Sequence, residues 1–281
     1  MDRIGVIGLG RMGTAMATRF ANAGGPVTAW TRSGRRVAGV PAAPDLAALA
    51  AASDVLVTSL FDDAAVAETL DALMRCDLSG KLLVETSTVA PGVVTARADA
   101  LTAAGAAICD APISGGPDLV AAGACGIFLG GGATAATRAE AALAPLSQRI
   151  FHVGPLGTGQ VMKTINNAML QVYFAGLAEQ LRVARRAGLP LETALEVLCG
   201  GPAGVPMVRD RIPRILGTDT TVGFTIAGVA KDSAVFRRVA AEAGVETPAL
   251  DAAAAMIAEA LDDGLSADDP AALLARAYRD G

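Results

Sequence analysis

Apolar positions along the chain follow two regimes. From residue 3 to about 155, short β-branched and aliphatic runs alternate with alanine-rich segments of helical period. The runs predict strands near 3–7, 26–30, 54–59, 81–85, 106–109, 125–129 and 149–153. Helices are predicted near 12–23, 45–51, 63–75, 91–104 and 134–147, the first closed by Gly24-Gly25 and the fourth opened by Pro91. Strands alternating with helices predict βαβ units, and hence a doubly wound parallel α/β sheet. After Gly157 the strand signal stops. Residues 158–187 form one long helical stretch, ended by Gly188 and Pro190, whose middle from Thr164 to Ala178 carries no charge. A helix apolar on all sides needs cover on all sides, so it is expected between domains or subunits. Helices near 191–199, 225–243, 248–263 and 270–279, with an irregular stretch around Gly200-Gly201-Pro202, complete an all-α second part.

Length supports this division: 281 residues, at roughly 150 per domain, make two domains. Hydrophobic residues are 52% and charged residues 18%, with mean hydropathy +0.45, which excludes disorder and raises the question of a membrane span. The longest charge-free run, Leu119 to Thr137, contains Gly123, Gly126, Gly130, Gly131 and Gly132, so it reads as a turn, a strand and a loop and no membrane partner is expected. A net charge of −5 leaves no basic stripe for a phosphate backbone, so nucleic acid is not an expected partner either. Cys76, Cys109, Cys125 and Cys199 are scattered and the chain has one histidine, so no metal site is expected, and the thiols suit a reduced, cytoplasmic protein. The first strand is read from near Ile4, so no signal peptide is expected.

The segment Gly8-Leu9-Gly10-Arg11-Met12-Gly13 follows the strand Ile4-Gly5-Val6-Ile7 and opens a helix. In that setting it is a Rossmann-type dinucleotide fingerprint. Gly8 permits the tight turn, Gly10 lets backbone approach a pyrophosphate, Gly13 lets helix pack on strand, and the helix N-terminus offers free N–H groups. The second strand ends in Trp30-Thr31-Arg32-Ser33-Gly34-Arg35-Arg36, without the carboxylate that would hold a ribose 2′-hydroxyl. Thr31, Arg32, Ser33 and Arg36 suit a 2′-phosphate, which predicts NADP(H); the alternative is an exposed basic loop. Trp30 reads as a packing residue.

Three further segments fall where loops at the carboxyl ends of strands meet a cofactor. In Glu85-Thr86-Ser87-Thr88, Thr88 is placed to hydrogen-bond near the nicotinamide ribose. In Asp110-Ala111-Pro112-Ile113-Ser114-Gly115-Gly116, Ser114 and the N–H groups of Gly115 and Gly116 form a nest for a substrate carboxylate. Gly154 to Asn167 opens the long helix and carries Lys163.

The fingerprint and these segments, with a Lys231-Asp232 pair further on, resemble the β-hydroxyacid dehydrogenase family of 3-hydroxyisobutyrate dehydrogenase, tartronate semialdehyde reductase and glyoxylate/succinic semialdehyde reductases. The resemblance covers essentially the whole chain. It implies that Lys163 is the catalytic lysine, that Asn167, one turn on, orients the reacting oxygen or a carboxylate, and that Lys231 lies near the nicotinamide. Leu60 and Phe61 resemble residues lining the adenosine side, while His152 reads as structural. An unperturbed lysine titrates near ~10.4, so oxidation would require high pH or a depressed pKa.

The implied organisation is an NADP-binding domain over 1–157 and an all-helical substrate and oligomerisation domain over 158–281. Its substrate is a small carboxylate-bearing aldehyde or hydroxyacid, and its assembly a homodimer or homotetramer. The stretch from Arg32 to Asp54 is shorter than the family carries, so the second crossover helix should be trimmed. Imine-reducing relatives replace the lysine that is kept here; imine reduction and a catalytically silent NADP-binding module are the alternative readings.

Overall fold

A computed structural model describes residues 2–281. Their contacts divide the chain into two compact units, Met1–Ile165 and Asn166–Gly281. The division lies within the long helix rather than at the expected join at 157–158, so the turns that carry Lys163 belong to the first unit.

The first unit runs β1 (Ile4–Ile7), α1 (Arg11–Asn22), β2 (Val27–Trp30), α2 (Leu46–Ala52), β3 (Val55–Thr58), α3 (Asp63–Leu73) and β4 (Leu82–Glu85). It continues through α4 (Pro91–Thr95), α5 (Ala98–Ala103), β5 (Ala107–Asp110), β6 (Ile113–Ser114), α6 (Pro117–Ala122), β7 (Gly126–Gly130), α7 (Ala133–Leu143) and β8 (Arg149–Gly154). The sheet has the order β2-β1-β3-β4-β5-β7-β6, with β8 on β7. Strands β1 to β5 pair in parallel. In the central strands, side chains alternate between two cores: Val55, Val57, Leu82 and Val84 join one, while Leu56 and Leu83 join the other. Both faces are therefore covered, which is why these strands read as unbroken apolar runs. Trp30 packs beside the second core, as expected of a packing residue. The crossover helix α2 is short, and its first turn is capped by Asp45, whose carboxylate accepts from the Ala48 N–H at 2.7 Å.

Two features depart from the sequence reading. The sheet is not wholly parallel, because β7 runs antiparallel to β5 and β6. Asp110↔Gly130, Ile113↔Ile127 and Ser114↔Gly126 keep one register, and the Phe128 N–H donates to the Pro112 carbonyl at 3.1 Å between them. β5 and β6 thus act as one strand bent at Pro112. Helix α6 reverses the chain in too few residues for a parallel crossover, so Leu119 to Thr137 is a helix, a strand and the start of another helix. The single helix expected over 91–104 is interrupted, because the Val93 carbonyl accepts from the Arg97 side chain at 3.0 Å while the Arg97 N–H turns to Val94 at 3.1 Å. The charge-free part of the long helix leaves Ile165 and Met169 exposed in the single chain.

The helix α8 (Thr158–Arg186) begins in the first unit and continues into the second, which also contains α9 (Leu191–Gly200), α10 (Pro206–Arg209), α11 (Ile212–Ile215), α12 (Ile226–Glu242), α13 (Pro248–Asp262) and α14 (Ala271–Asp280). The core of this unit gathers Phe174, Leu181, Leu195, Val208 and Leu274. Among the described residues no helix is long and apolar enough to cross a membrane, and no group of side chains is arranged to hold a metal ion.

Candidate active site

At the end of β1, Gly8 has φ +93°, and a Cβ there would strike the Ser59 carbonyl. A Cβ on Gly13 would strike the Gly8 carbonyl, so Gly8 is required by the close approach of the chain after β3 and Gly13 by contact between α1 and the turn. Gly10 differs: a Cβ there meets nothing within 4 Å. Gly10 is also the N-cap of α1, whose first turn carries no capping side chain and no acidic residue. Leu9 is buried, whereas Arg11 is exposed and Met12 half-buried. A helix N-terminus with no capping side chain, opening beside a residue that itself lacks a side chain, fits a pyrophosphate.

Of the residues after β2, Arg32 lies on the surface, with its guanidinium 3.4 Å from Glu68. Its side chain is 84% exposed, so this ion pair holds it weakly and leaves it able to turn to a phosphate. Ser33 and Arg36 are exposed and Thr31 half-buried. Leu60 and Phe61 follow β3; Phe61 is 66% exposed, and the Leu60 N–H donates to Ser87 Oγ at 2.8 Å.

The loop after β4 is bound to the start of α8. Gln160 Nε2 donates to the Ser87 carbonyl at 2.7 Å, and the Val89 N–H donates to Gln160 Oε1 at 3.3 Å, with half-buried Thr88 between them. Asp110, fully buried at the end of β5, accepts from the N–H groups of Gly157 and Gln160, each at 2.7 Å. A carboxylate carried by a strand therefore caps α8 and fixes where its first turns lie. Burial pushes the Asp110 pKa up, while the N–H donors oppose the shift. Beside Asp110 in register, the buried Glu85 is pushed up to about 7 by desolvation, against hydrogen bonds from Ser87 and Thr58.

Lys163 is 7% exposed, and its Nζ donates to the Ile113 carbonyl at 2.6 Å. That places the ammonium against β6, one residue from Ser114. Gly115 has φ +127°, and a Cβ on Gly116 would meet open space, so this turn presents backbone rather than side chains. Lys163, Ser114, Gly115 and Gly116 are thus brought together. His152 Nε2 donates to the Gly131 carbonyl at 2.8 Å, a structural role. Burial raises the thiols of Cys109 to about 12 and Cys125 to about 11, so they stay protonated.

Asn167 and Lys231 belong to the second unit. Asn167 Oδ1 accepts from Asn166 Nδ2 at 2.9 Å, and Asn167 lines a cavity of about 140 Å³ with Gln171 and Asp232. Lys231 Nζ is paired with Asp232 Oδ1 at 2.6 Å. Sequence reasoning assigned no part to Glu85, Asp110, Gln160 or Gln171. The first three lie inside the quoted segments, and their signal was an ionisable or amide side chain among apolar strand ends and helix turns. Gln171 had only the signal of a lone amide in a charge-free helix.

A sheet whose first turn presents a glycine-lined, uncapped helix N-terminus, followed by a helical unit, defines a nicotinamide-dinucleotide-dependent oxidoreductase. Two family models match along the chain. Residues 3–154 fit the NAD binding domain of 6-phosphogluconate dehydrogenase, and residues 157–277 fit the model described as NAD-binding of NADP-dependent 3-hydroxyisobutyrate dehydrogenase. A NAD-dependent L-serine dehydrogenase of Pseudomonas aeruginosa is 32% identical over 88% of this chain and 88% of its own. The 3-hydroxyisobutyrate dehydrogenase of the same organism is 32% identical over 70% of this chain and 69% of its own. A Mycobacterium tuberculosis 3-hydroxyisobutyrate dehydrogenase, solved with L-serine, superposes with a TM-score of 0.89 at 25% identity, covering 98% of both chains. The chain belongs to the β-hydroxyacid dehydrogenase family, whose members it matches here are oxidoreductases acting on hydroxyacids. An Aspergillus terreus reductive aminase, at 24% identity, a TM-score of 0.64 and 98% coverage of both chains, shares the fold.

Proposed function

We propose that this chain is an NADP(H)-dependent oxidoreductase that interconverts a small β-hydroxyacid and its semialdehyde, or reduces short aldehydo- or keto-acids. The observation that carries the reading is the buried Lys163, with its ammonium bound to the Ile113 carbonyl beside the Ser114-Gly115-Gly116 turn. Bound nicotinamide supplies or accepts the hydride. Reduction of a carbonyl leaves its oxygen in need of a proton, and Lys163 Nζ polarises that oxygen and then donates to it. In oxidation the lysine must be neutral to take the hydroxyl proton. Ser114 and the N–H groups of Gly115 and Gly116 hold the substrate carboxylate. Asn167, four residues after Lys163 on α8, orients the reacting oxygen.

Gly8 to Gly13, Leu60, Phe61, Thr88 and Lys231 hold the cofactor, and Thr31, Arg32, Ser33 and Arg36 favour a 2′-phosphate. The exposed apolar positions Val161, Ile165 and Met169 of α8, spaced four apart, support association of copies as a homodimer or homotetramer.

The test is nicotinamide turnover with 3-hydroxyisobutyrate, L-serine, glyoxylate, succinic semialdehyde, tartronate semialdehyde and methylmalonate semialdehyde, with a cyclic imine as comparator. Lys163→Ala should abolish turnover and leave NADPH affinity within about threefold. Equal loss of both would make the lysine structural, and turnover of the imine alone would refute the substrate class.

A further inference from the structure

Gln160 stands one turn before Lys163 on α8, and the proton transfer assigned to Lys163 does not use it. It is a buried amide, 1% exposed, with both ends engaged. Nε2 donates to the Ser87 carbonyl at 2.7 Å, and Oε1 accepts from the Val89 N–H at 3.3 Å. A carbonyl only accepts and an N–H only donates, so the two partners fix which end of the amide is nitrogen. The side chain thus bonds the loop on either side of Thr88, as a neighbouring strand would.

Ser87 is held through three of its own groups. Its N–H donates to Glu85 Oε1 at 2.6 Å, its Oγ accepts from the Leu60 N–H at 2.8 Å, and its carbonyl takes the Gln160 amide. The loops after β3 and β4 are thereby tied to one residue, and that residue to α8. On the helix side, the Gln160 N–H donates to Asp110 Oδ2 at 2.7 Å, and Lys163 Nζ donates to the Ile113 carbonyl at 2.6 Å. Residues three apart share a helix face, so Gln160 and Lys163 both project toward the strand ends. Asp110 and Lys163 bond α8 to β5 and β6, whereas Gln160 bonds it to the loop that carries Thr88. All of these groups lie in the first unit.

We propose that Gln160 is a positioning residue, whose amide sets the separation between Thr88 at the nicotinamide ribose and Lys163 Nζ at the reacting oxygen. The proposal rests on the reading of Lys163 as the proton donor and of Thr88 as a cofactor contact. Hydride transfer requires the nicotinamide, the substrate carbon and the ammonium in one alignment, and a misplacement of about 1 Å costs about a hundredfold in rate. Affinity is less sensitive, because the Gly8 to Gly13 turn and the Ser114-Gly115-Gly116 turn, which are read as holding cofactor and substrate, lie outside the Gln160 bonds.

The test reads hydride transfer in a single turnover by nicotinamide absorbance, with the hydroxyacid or semialdehyde on which the native chain is most active. Gln160→Met keeps the length of the side chain and makes neither bond. It should slow hydride transfer about tenfold to a hundredfold, while the KM of the acid and the NADPH affinity stay within about threefold. Gln160→Glu keeps an acceptor for the Val89 N–H but turns a carboxylate oxygen on the Ser87 carbonyl; it should be slowed as well, and serves should the methionine variant fold poorly. Amide hydrogen exchange at Val89 reports the clamp itself, and protection there should fall in Gln160→Met.

Hydride transfer at the native rate in a Gln160→Met protein that has lost Val89 protection would overturn the proposal. Protection kept in full would overturn it too, because another contact would then hold the loop. Rate, KM and cofactor affinity worsening together would reduce Gln160 to a structural contact. A native chain that turns over none of the acids with either nicotinamide refutes the functional reading, and the role of Gln160 with it.

Discussion

Glu85→Gln should abolish the pH dependence that one buried carboxyl imposes on the first unit. Glu85 is 1% exposed at the end of β4, accepts from the Ser87 N–H at 2.6 Å and from the Thr58 hydroxyl, and lies in register with Asp110. Burial is the largest influence and raises its pKa from 4.5 to about 7. In that interval the unfolded chain has released the proton while the folded chain keeps it. Folding therefore takes up a proton, and stability is greatest below pH 4.5 and falls as pH rises to about 7, where it levels.

At 1.36 kcal/mol per unit, a shift of roughly two and a half units corresponds to about 3 kcal/mol. Glutamine does not titrate, yet its amide oxygen still accepts from Ser87 while its nitrogen donates to the Thr58 oxygen. The variant should lack this part of the slope and exceed the native chain above about pH 7, by up to about 3 kcal/mol. Urea unfolding followed by far-ultraviolet circular dichroism, in steps from about pH 5 to about pH 8, measures both curves. Parallel profiles for the two proteins would refute a raised Glu85 pKa.

Other substitutions separate the remaining roles. Gly10→Ala adds a methyl where the protein leaves open space, so dinucleotide affinity should fall at least tenfold with the melting temperature nearly unchanged. Gly13→Ala drives a methyl into the Gly8 carbonyl and should lower both, as calorimetry with cofactor titration would show. Arg32→Ala should reduce the affinity ratio of NADPH to NADH about tenfold or more; an unchanged ratio would make the segment a basic surface loop. Asp110→Asn leaves one of the Gly157 and Gln160 N–H groups facing an amide donor, and denaturant unfolding should show a loss of about 1–3 kcal/mol. Unchanged stability there would mean that Asp110 does not anchor α8.

Features legible in the sequence share a local cause. Strand runs such as Val55 to Thr58, the turn Gly8 to Gly13 and the stop at Gly188 are each set by neighbours along the chain. The course of β7 was not legible, because the period of two that marks a strand is the same in either direction. Its direction is decided by the bend at Pro112 and the reversal through α6. The single helix expected over 91–104 likewise gave way to a side chain, Arg97, competing for the Val93 carbonyl.

The sequence by itself determined an α/β unit followed by an all-α unit, a dinucleotide turn and a lone lysine at the head of an apolar helix. Its spacings are short, and local sterics read them. Only the tertiary structure decided what holds that lysine in place. Asp110 meets N–H groups 47 and 50 residues away, and Lys163 meets a carbonyl 50 residues away. Burial at those meetings turns ordinary side chains into anchors, and burial is a property of the folded interior that no run of neighbours encodes.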